Sequence, residues 1–300
     1  MIRKLVLLTA AAGLTWAQGA GAAKQAKGAA PPPQPQMIQM LKPGLFLVTG
    51  AGGNTSVRVT KAGLIVVDTK NLGVPFYNDL MAQIKTVSDK PVKFVIVTHH
   101  HQDHSGNIQS FKDAGATVIA NEGLAKALET YAPAQGKPAQ PSVKYVKDYK
   151  VKLGGVKVEV HHYARGHTGG DSIVYFPDLK VVQTGDVVVG VVPNIDFPFG
   201  GSAIEWQTQL DAISKLNFDM LIPGHSAPNQ TTMTKADFMK FKMNFDTIVA
   251  RAKELVKAGT PKEQLIAKIK TDDLGWNINN AQWNQPARVD AFYEEMKNAK

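Results

Sequence analysis

The sequence predicts an α+β fold, a four-layer αββα sandwich followed by a C-terminal helical extension. Short β-rich runs precede helical runs in residues 37–131, and the same order recurs in residues 144–230. Two β-rich halves that each end in helices predict two sheets packed face to face, with helices on the outside. Beyond residue 234 the apolar spacing becomes mostly helical, which predicts the extension.

In the first half, three β-rich runs separated by glycine turns predict an antiparallel meander. These strands are residues 45–49, 55–60 and 64–68. The apolar spacing then becomes helical, and helices alternate with strands. We expect helix 76–87, strand 93–98, helix 107–113, strand 117–120 and helix 122–131.

The second half repeats this plan after an exposed loop at residues 133–142. We expect strands 144–153, 156–162, 172–176 and 180–183, helix 203–216 and strand 220–222. The helical extension then shows apolar spacing over 238–256 and 289–296. The expected sandwich domain is therefore residues 37–230, and the extension is residues 231–300.

The first residues have the order of a secretory signal peptide. Arg3 and Lys4 precede an apolar run, and Ala20-Gly21-Ala22 follows as a cleavage site. The apolar run is too short for a permanent membrane span, and a membrane anchor is the alternative. We expect a signal peptide over residues 1–22, a flexible Pro- and Ala-rich linker over 23–36, and a bacterial protein exported to the periplasm or secreted.

The composition limits the chemistry. The 300 residues include no Cys, which excludes disulfide frameworks, cysteine metal sites and cysteine nucleophiles. Any metal must therefore be held by His, Asp or Glu. The formal net charge is +9, but the basic residues are scattered and no nucleic-acid-binding motif is present. We expect a small-molecule substrate and no nucleic-acid partner, and the sequence leaves the oligomeric state open.

Four of the eight His residues lie together in residues 99–104, after an apolar strand. Side chains alternate along an extended segment, so His99, His101 and Asp103 are expected to face one way. A turn at Ser105-Gly106 would bring His104 beside them. Three imidazoles and one carboxylate at one strand end suit zinc.

These residues match the pattern H-x-H-x-D-H, and the sequence resembles the metallo-β-lactamase superfamily. Three further motifs follow in order: Gly166-His167-Thr168, Thr184-Gly185-Asp186 and Pro223-Gly224-His225. The resemblance covers residues 37–228 and implies an αββα fold with two Zn²⁺ ions per chain. Iron or manganese are alternatives, since the same donors accept them.

The resemblance also assigns the ligands. It implies one ion on His99, His101 and His167, the other on Asp103, His104 and His225, and Asp186 as the bridge. The superfamily often places an acid such as Asp68 beside the site as support; a plain turn residue is the alternative. We expect His100, His161 and His162 to be structural.

The expected function is an exported binuclear zinc hydrolase that attacks an ester, lactone or thioester with a metal-bridging hydroxide. Asp103 is the expected catalytic residue, which orients the nucleophile. Asp186 favours these substrates over β-lactams, whereas Val189 stands where acyl-homoserine lactonases usually have Tyr. The alternatives are a β-lactam hydrolase and a non-catalytic periplasmic metal-binding protein.

The loop 187–202 contains four apolar residues: Ile195, Phe197, Pro198 and Phe199. We expect it either to form an apolar wall beside the site or to pack in the core.

Overall fold

The structure, a computed structural model, describes residues 35–299. The predicted signal peptide, 1–22, and all but the last two residues of the predicted linker, 23–36, lie outside the described residues. Among the helices of residues 35–299, none has both the length and the apolar composition that a membrane span requires.

In the described part of the chain, one sheet contains seven strands in sequential order. They are β1 (Met37–Lys42), β2 (Leu45–Thr49), β3 (Thr55–Thr60), β4 (Gly63–Val67), β5 (Val92–Ile96), β6 (Thr117–Asn121) and β7 (Val143–Tyr145). Strands β1 to β4 pair antiparallel, which confirms the predicted meander and adds β1 to it. Strands β4 to β7 pair parallel.

The second sheet, among the same described residues, contains six strands. They are β8 (Asp148–Leu153), β9 (Val156–His161), β10 (Ile173–Phe176), β11 (Val181–Gln183), β12 (Met220–Ile222) and β13 (Met233–Thr234). The pairing is antiparallel except between β11 and β12, which run parallel. The carboxyl ends of β11 and β12 therefore meet at the same edge of the sheet.

The helices connect and cover these strands. They are α1 (Val74–Lys85), α2 (Gln102–Ser105), α3 (Ile108–Asp113), α4 (Glu122–Thr130), α5 (Ala203–Ser214), α6 (Lys235–Lys257), α7 (Lys262–Lys268) and α8 (Pro286–Asn298). Side chains cap several of them. The Asn121 side chain accepts from Gly123 N at the start of α4, and Thr234 forms a capping box with Asp237 at the start of α6.

Three buried apolar clusters lie between the layers and pack them together. The first lies between the seven-stranded sheet and its helices, where Val66 and Val95 pack with Phe111 and Leu124. The second joins the two sheets, and the third packs the six-stranded sheet against α5 and α6. The order helix, sheet, sheet, helix confirms the predicted αββα sandwich.

The prediction of a single strand over residues 144–153 is wrong, because these residues belong to two strands, β7 and β8. The chain leaves the first sheet after Tyr145 and enters the second at Asp148. The Asn121 amide donates to the carbonyl oxygens of Tyr145 and Val146, at 3.1 and 2.8 Å, and so holds the crossing point. These residues therefore serve both sheets.

The C-terminal extension packs on the second sheet. Phe238 of α6, Ile266 of α7 and Phe292 of α8 are buried in the cluster that contains Val182 and Leu221 of the sheet. The extension also supplies strand β13, at the edge of that sheet.

Candidate metal centre

The histidine-rich segment leaves β5 and turns into the short helix α2. His99 and His101 precede the helix, whereas His104 lies within it. Ser105 Oγ donates to the carbonyl oxygen of His101 at 3.0 Å, which helps to close the turn. The extended alternation predicted for this segment is therefore wrong beyond His101. His104 reaches its neighbours through a helical turn rather than through a turn at residues 105–106.

The other candidate ligands come from loops of the second sheet. His167 lies between β9 and β10, Asp186 lies in a 3-10 turn after β11, and His225 follows β12. Because β11 and β12 are parallel neighbours, their final residues bring Asp186 and His225 to one edge. Gly224 N donates to Gly185 O at 2.9 Å, which joins the two turns.

Three imidazole nitrogens meet on one side of the site. His101 Nδ1 lies 3.1 Å from His99 Nε2 and 3.0 Å from His167 Nε2. Tetrahedral zinc with nitrogen ligands at about 2.0–2.1 Å separates those ligand atoms by ~3.3 Å, so the observed spacing is close to that of a zinc site. His99 and His167 are buried. We call His99, His101 and His167 the imidazole set.

Asp103, His104 and His225 form a second group, which we call the mixed set. His225 Nε2 lies 3.0 Å from Asp103 Oδ2 and 3.3 Å from His104 Nε2. His104 is fully buried, whereas the side chains of Asp103 and His225 are 30% and 36% exposed. A Cβ atom on Gly53 would lie 2.1 Å from the His104 ring, so the chain must have glycine there. The mixed set is the open side of the site.

Asp186 lies between the two sets. Its Oδ2 atom is 3.8 Å from His167 Nε2 and 3.6 Å from His225 Nε2, and its Oδ1 atom is 3.3 Å from His104 Nε2. A Cβ atom on Gly224 would lie 1.9 Å from Asp186 Oδ1. Glycine at position 224 therefore allows the carboxylate to occupy this central position.

The donors fit divalent cations. Two compact groups of potential ligands together contain all seven residues proposed from the sequence: His99, His101, His167 and Asp186, and Asp103, His104 and His225. Asp186 Oδ1 is buried and, among the described residues, accepts no hydrogen bond of good geometry. Buried carboxylate oxygens need a partner, and a cation would supply one.

Two ligand rings of the imidazole set are oriented by one loop. His101 Nε2 lies 2.8 Å from Asp196 Oδ2, and His167 Nδ1 donates to the Asn194 carbonyl oxygen at 2.6 Å. Such contacts at the nitrogen that faces away from the metal fix the tautomer and the ring orientation. Asp196 and Asn194 were not predicted from the sequence.

Asp68 supports the other side. Its Oδ2 atom lies 2.8 Å from His104 Nδ1 and accepts from Thr98 Oγ1 at 2.9 Å. Thr98 Oγ1 in turn lies 3.1 Å from His99 Nδ1. Of the two roles considered for Asp68, the geometry fits support of the site.

The two sets hold protons differently in the metal-free protein. Burial, with its positive neighbours, lowers the pKa of His99 well below its usual value, and burial lowers the pKa of His167 to about 4. Burial acts in the same direction on His104, but the carboxylates of Asp103 and Asp186 outweigh it and raise the pKa of His104 well above the usual value. The mixed set therefore holds protons that a cation would replace.

The remaining histidines lie outside the two sets. The His100 ring packs against Tyr131 and Phe199, with centroid distances of 4.7 and 4.6 Å. His161 Nδ1 lies 2.6 Å from Asp148 Oδ1, and His162 Nδ1 donates to a backbone carbonyl. A third possible ligand group, His100 with His101 and Asp196, uses the His101 nitrogen opposite the imidazole set, so we treat it as support.

The loop 187–202 divides between the two expected roles. Ile195 and Phe197 pack toward the C-terminal helices, where Phe197 lies 6.5 Å from Phe292 between ring centroids. Pro198 and Phe199 instead line a groove of about 350 Å³ beside α4. Pro198 and Phe199 therefore present an apolar surface to this groove, whereas Ile195 and Phe197 belong to the packing around the C-terminal helices.

Known proteins share both the sequence pattern and the fold. Residues 48–225 match the profile of the Metallo-beta-lactamase superfamily. The chain is 27% identical over 197 residues to Metallo-beta-lactamase IND-1 of Chryseobacterium indologenes, across 61% of this chain and 75% of that protein.

Solved structures agree. A metallo-beta-lactamase from Pontibacter korlensis is similar with a TM-score of 0.61 and 20% identity, over 70% of this chain and 99% of that one. The inverting sec-alkylsulfatase from Pseudomonas sp. is similar with a TM-score of 0.68 and 17% identity, over 88% of this chain and half of that one. The chain therefore belongs to the metallo-β-lactamase superfamily and is a metal-dependent hydrolase.

Proposed function

We propose that this protein is an exported binuclear zinc hydrolase that cleaves an ester, lactone or thioester. The observation that carries this proposal is the pair of adjacent ligand sets with Asp186 between them. Zinc ions bound there would lower the pKa of a water towards about 7 and polarise a carbonyl oxygen. A covalent enzyme intermediate is not needed, which agrees with the absence of cysteine and of a G-x-S-x-G motif.

Asp103 is the proposed catalytic residue. Its carboxylate belongs to the exposed side of the site and lies 3.0 Å from His225 Nε2. Burial alone would raise the pKa of Asp103, but the charge of His104 and the hydrogen bond from His225 hold it well below its usual value. The residue is therefore an anion at neutral pH, suited to orient an attacking water by accepting a hydrogen bond from it.

Substrate preference follows from Asp186 and the apolar surface of Pro198 and Phe199. A central carboxylate adds negative charge between the sets, which tempers the Lewis acidity that stabilises a departing amide nitrogen. Esters, lactones and thioesters have better leaving groups and depend less on that acidity. Phe199 packs on the ring of His100, which lies between His99 and His101 in the sequence, and Phe199 and Pro198 line the groove beside α4. An apolar surface there would favour a hydrophobic acyl group or ring.

The test is a side-by-side measurement of kcat/KM with excess zinc. We expect an aryl ester or lactone to exceed a penicillin or carbapenem by roughly tenfold, which corresponds to about 1.4 kcal/mol. The Asp103→Ala variant, measured at the same zinc concentration, is the control for substrate hydrolysis by free zinc. A β-lactam cleaved faster than every ester, lactone and thioester would reverse the proposal.

β-Lactam hydrolysis is the second candidate, because the relative named above is a metallo-beta-lactamase that aligns over three quarters of its length. A non-catalytic metal-binding role is the third. Elemental analysis and a hydrolysis assay together test the third candidate. We expect close to two ions per chain, and we expect a strong chelator to abolish ester hydrolysis. Two bound ions without turnover of any acyl substrate would favour metal binding alone.

Export is part of the proposal and is supported by the order of Arg3-Lys4, the apolar run and Ala20-Gly21-Ala22. N-terminal sequencing of the protein purified from its host should find a first residue between about 18 and 24. An intact Met1 on cytosolic protein would contradict export and favour a cytosolic thioester as substrate.

A further inference from the structure

Residues 193–201, which we call the support segment, supply both contacts that orient His101 and His167. Asp196 holds the first ring through its side chain, and Asn194 holds the second through its backbone carbonyl. A backbone acceptor is positioned only as well as the segment that carries it. The contacts that fix the support segment therefore bear on the geometry of the imidazole set.

The C-terminal extension provides several of these contacts. Trp283 is buried, and its Nε1 atom donates to the carbonyl oxygen of Pro193 at 2.9 Å. The guanidinium of Arg288 donates to Asn194 Oδ1. Both donors reach the two residues at the start of the support segment from about 90 positions further along the chain.

The residues that directly follow the support segment are held by α8, the helix that also contains Arg288. Glu295 accepts a hydrogen bond from Ser202 Oγ and another from Ala203 N at 2.8 Å, where α5 begins. Between the two ends, Ile195 is buried in the cluster that also contains Phe292 and Trp283. The extension thus contacts the support segment at its start and in its middle, and it also holds the two residues that follow the segment.

Among residues 35–299, the side chains of Arg288 and Trp283 donate no hydrogen bond to the mixed set. The loop of His225 meets the extension instead at Thr231, whose carbonyl oxygen accepts from Ser226 Oγ at 3.1 Å. The support of the mixed set is Asp68, which follows β4 and whose side chain, within residues 35–299, contacts Thr98 and His104. These residues belong to the sandwich and not to the extension. A change at Arg288 or Trp283 should therefore affect the two sets unequally.

We infer that Arg288 and Trp283 are positioning residues for the metal centre, which set the affinity of the imidazole set for its ion through the support segment. The inference rests on the proposed metal centre. Direct partners of ligand histidines change metal affinity by about 10–100-fold when they are removed. Arg288 acts one contact further away, so we expect about a threefold to tenfold effect.

The experiment measures metal affinity in two backgrounds, by competition with a chromophoric chelator. His225→Ala disables the mixed set and leaves the imidazole set to be measured, whereas His99→Ala does the reverse. Arg288→Met removes the donor and keeps the aliphatic length. Arg251→Met is the matched control, because Arg251 also belongs to the extension but donates to Lys270 and Asp273, away from the support segment.

We expect Arg288→Met to weaken zinc binding in the His225→Ala background by about threefold to tenfold and to leave the His99→Ala background unchanged. Arg251→Met should alter neither. Trp283→Phe is a second variant that keeps ring packing against Phe292 and removes only the donor, and it should weaken the same background by about threefold. In cobalt-substituted protein, the visible absorption bands of the imidazole set should shift in the Arg288 and Trp283 variants.

Several results would overturn the inference. Equal affinities for Arg288→Met and Arg251→Met would show that the extension does not position the ligands. Equal weakening of both backgrounds would show a general loss of stability, and thermal unfolding of each variant would reveal it. Wild-type protein that binds no divalent ion would overturn both the metal centre and this inference, whereas normal wild-type binding with an unaffected Arg288→Met variant would overturn the inference alone.

Discussion

The imidazole set and the mixed set lie side by side but differ in charge, exposure and support. In the imidazole set, burial lowers the pKa of His99 and of His167, and Asp196 and Asn194 from one loop orient the rings of His101 and His167. The mixed set contains a carboxylate, is a third exposed at Asp103 and His225, and is supported by Asp68 at a strand end. We therefore propose that the first set retains its ion and that the second set holds the more exposed, reactive ion.

This difference explains why Asp103 is the expected catalytic residue although Asp186 is more central. Asp186 is enclosed by residues of both sets, and its carboxylate oxygens would be occupied by the ions that those sets bind. Asp103 faces the side from which a substrate must approach. A negatively charged group at an open metal position can both hold the ion and orient an attacking water.

The largest expected effect comes from removing that group. Asp103→Ala should lower kcat by on the order of 10²–10⁴-fold even when the protein is saturated with metal, because it removes the group that orients the attacking water. Steady-state kinetics at several zinc concentrations measure this. Asp89→Ala is the control, because Asp89 is exposed in the loop between α1 and β5. This variant should retain wild-type activity. A metal-saturated Asp103→Ala enzyme with a normal kcat would remove Asp103 from the mechanism.

The next prediction concerns the aspartates that support the two sets. Asp196→Asn should weaken metal binding at the imidazole set by about 10–100-fold, because the neutral amide is a poorer acceptor for the His101 ring. Asp68→Asn should weaken the mixed set most, through His104, with a smaller effect on His99 through Thr98. Calorimetric titration of zinc into the His225→Ala and His99→Ala backgrounds separates these effects, and each aspartate variant is the control for the other. Identical losses in both backgrounds would contradict the division of the centre into two differently supported sets.

The sequence predicted the layers and the ligands because both depend on local patterns. Glycine turns and apolar periods mark β2, β3 and α4 closely, and residues 99–104 place four potential ligands in a single segment. His167, Asp186 and His225 lie in short glycine-containing motifs that resemble a known superfamily. Two local predictions were wrong: residues 144–153 form parts of two strands, and residues 101–104 turn into a helix. Periodicity does not show where a strand is interrupted or gives way to a helical turn.

The supports could not be predicted in the same way. Asp196 lies 95 positions from His101 in a loop without periodicity, and Asn194 acts through a carbonyl group that any residue possesses. Trp283 and Arg288 belong to a helical extension whose apolar spacing indicates packing but not what it packs against. Contacts of this kind depend on the folded arrangement, and no residue type or spacing indicates them.

The last prediction concerns the pH dependence of metal binding by the two sets. In the metal-free protein burial lowers the pKa of His167 to about 4, whereas the carboxylates around His104 and His225 overcome burial and raise the pKa of both rings. At neutral pH a cation therefore displaces no proton from His167 but must displace one from His104. Because proton release is favoured as pH rises, the affinity of the mixed set should increase by up to about tenfold per pH unit for each proton released. The dependence should be strongest below the raised pKa values and should level off above them.

The measurement is zinc affinity at pH 6, 7 and 8, with the His99→Ala background for the mixed set and the His225→Ala background for the imidazole set. His167 is already neutral across this range, so its set should show the shallower slope. The free energy of unfolding of metal-free wild-type protein gives an independent check of sign. A raised His104 pKa contributes stability that is fully present below the pKa of the unfolded ring, about 6.5, and is lost as pH rises through the folded value. A steeper pH dependence for the imidazole set than for the mixed set would reverse the assignment of the proton-bearing, reactive position to the mixed set.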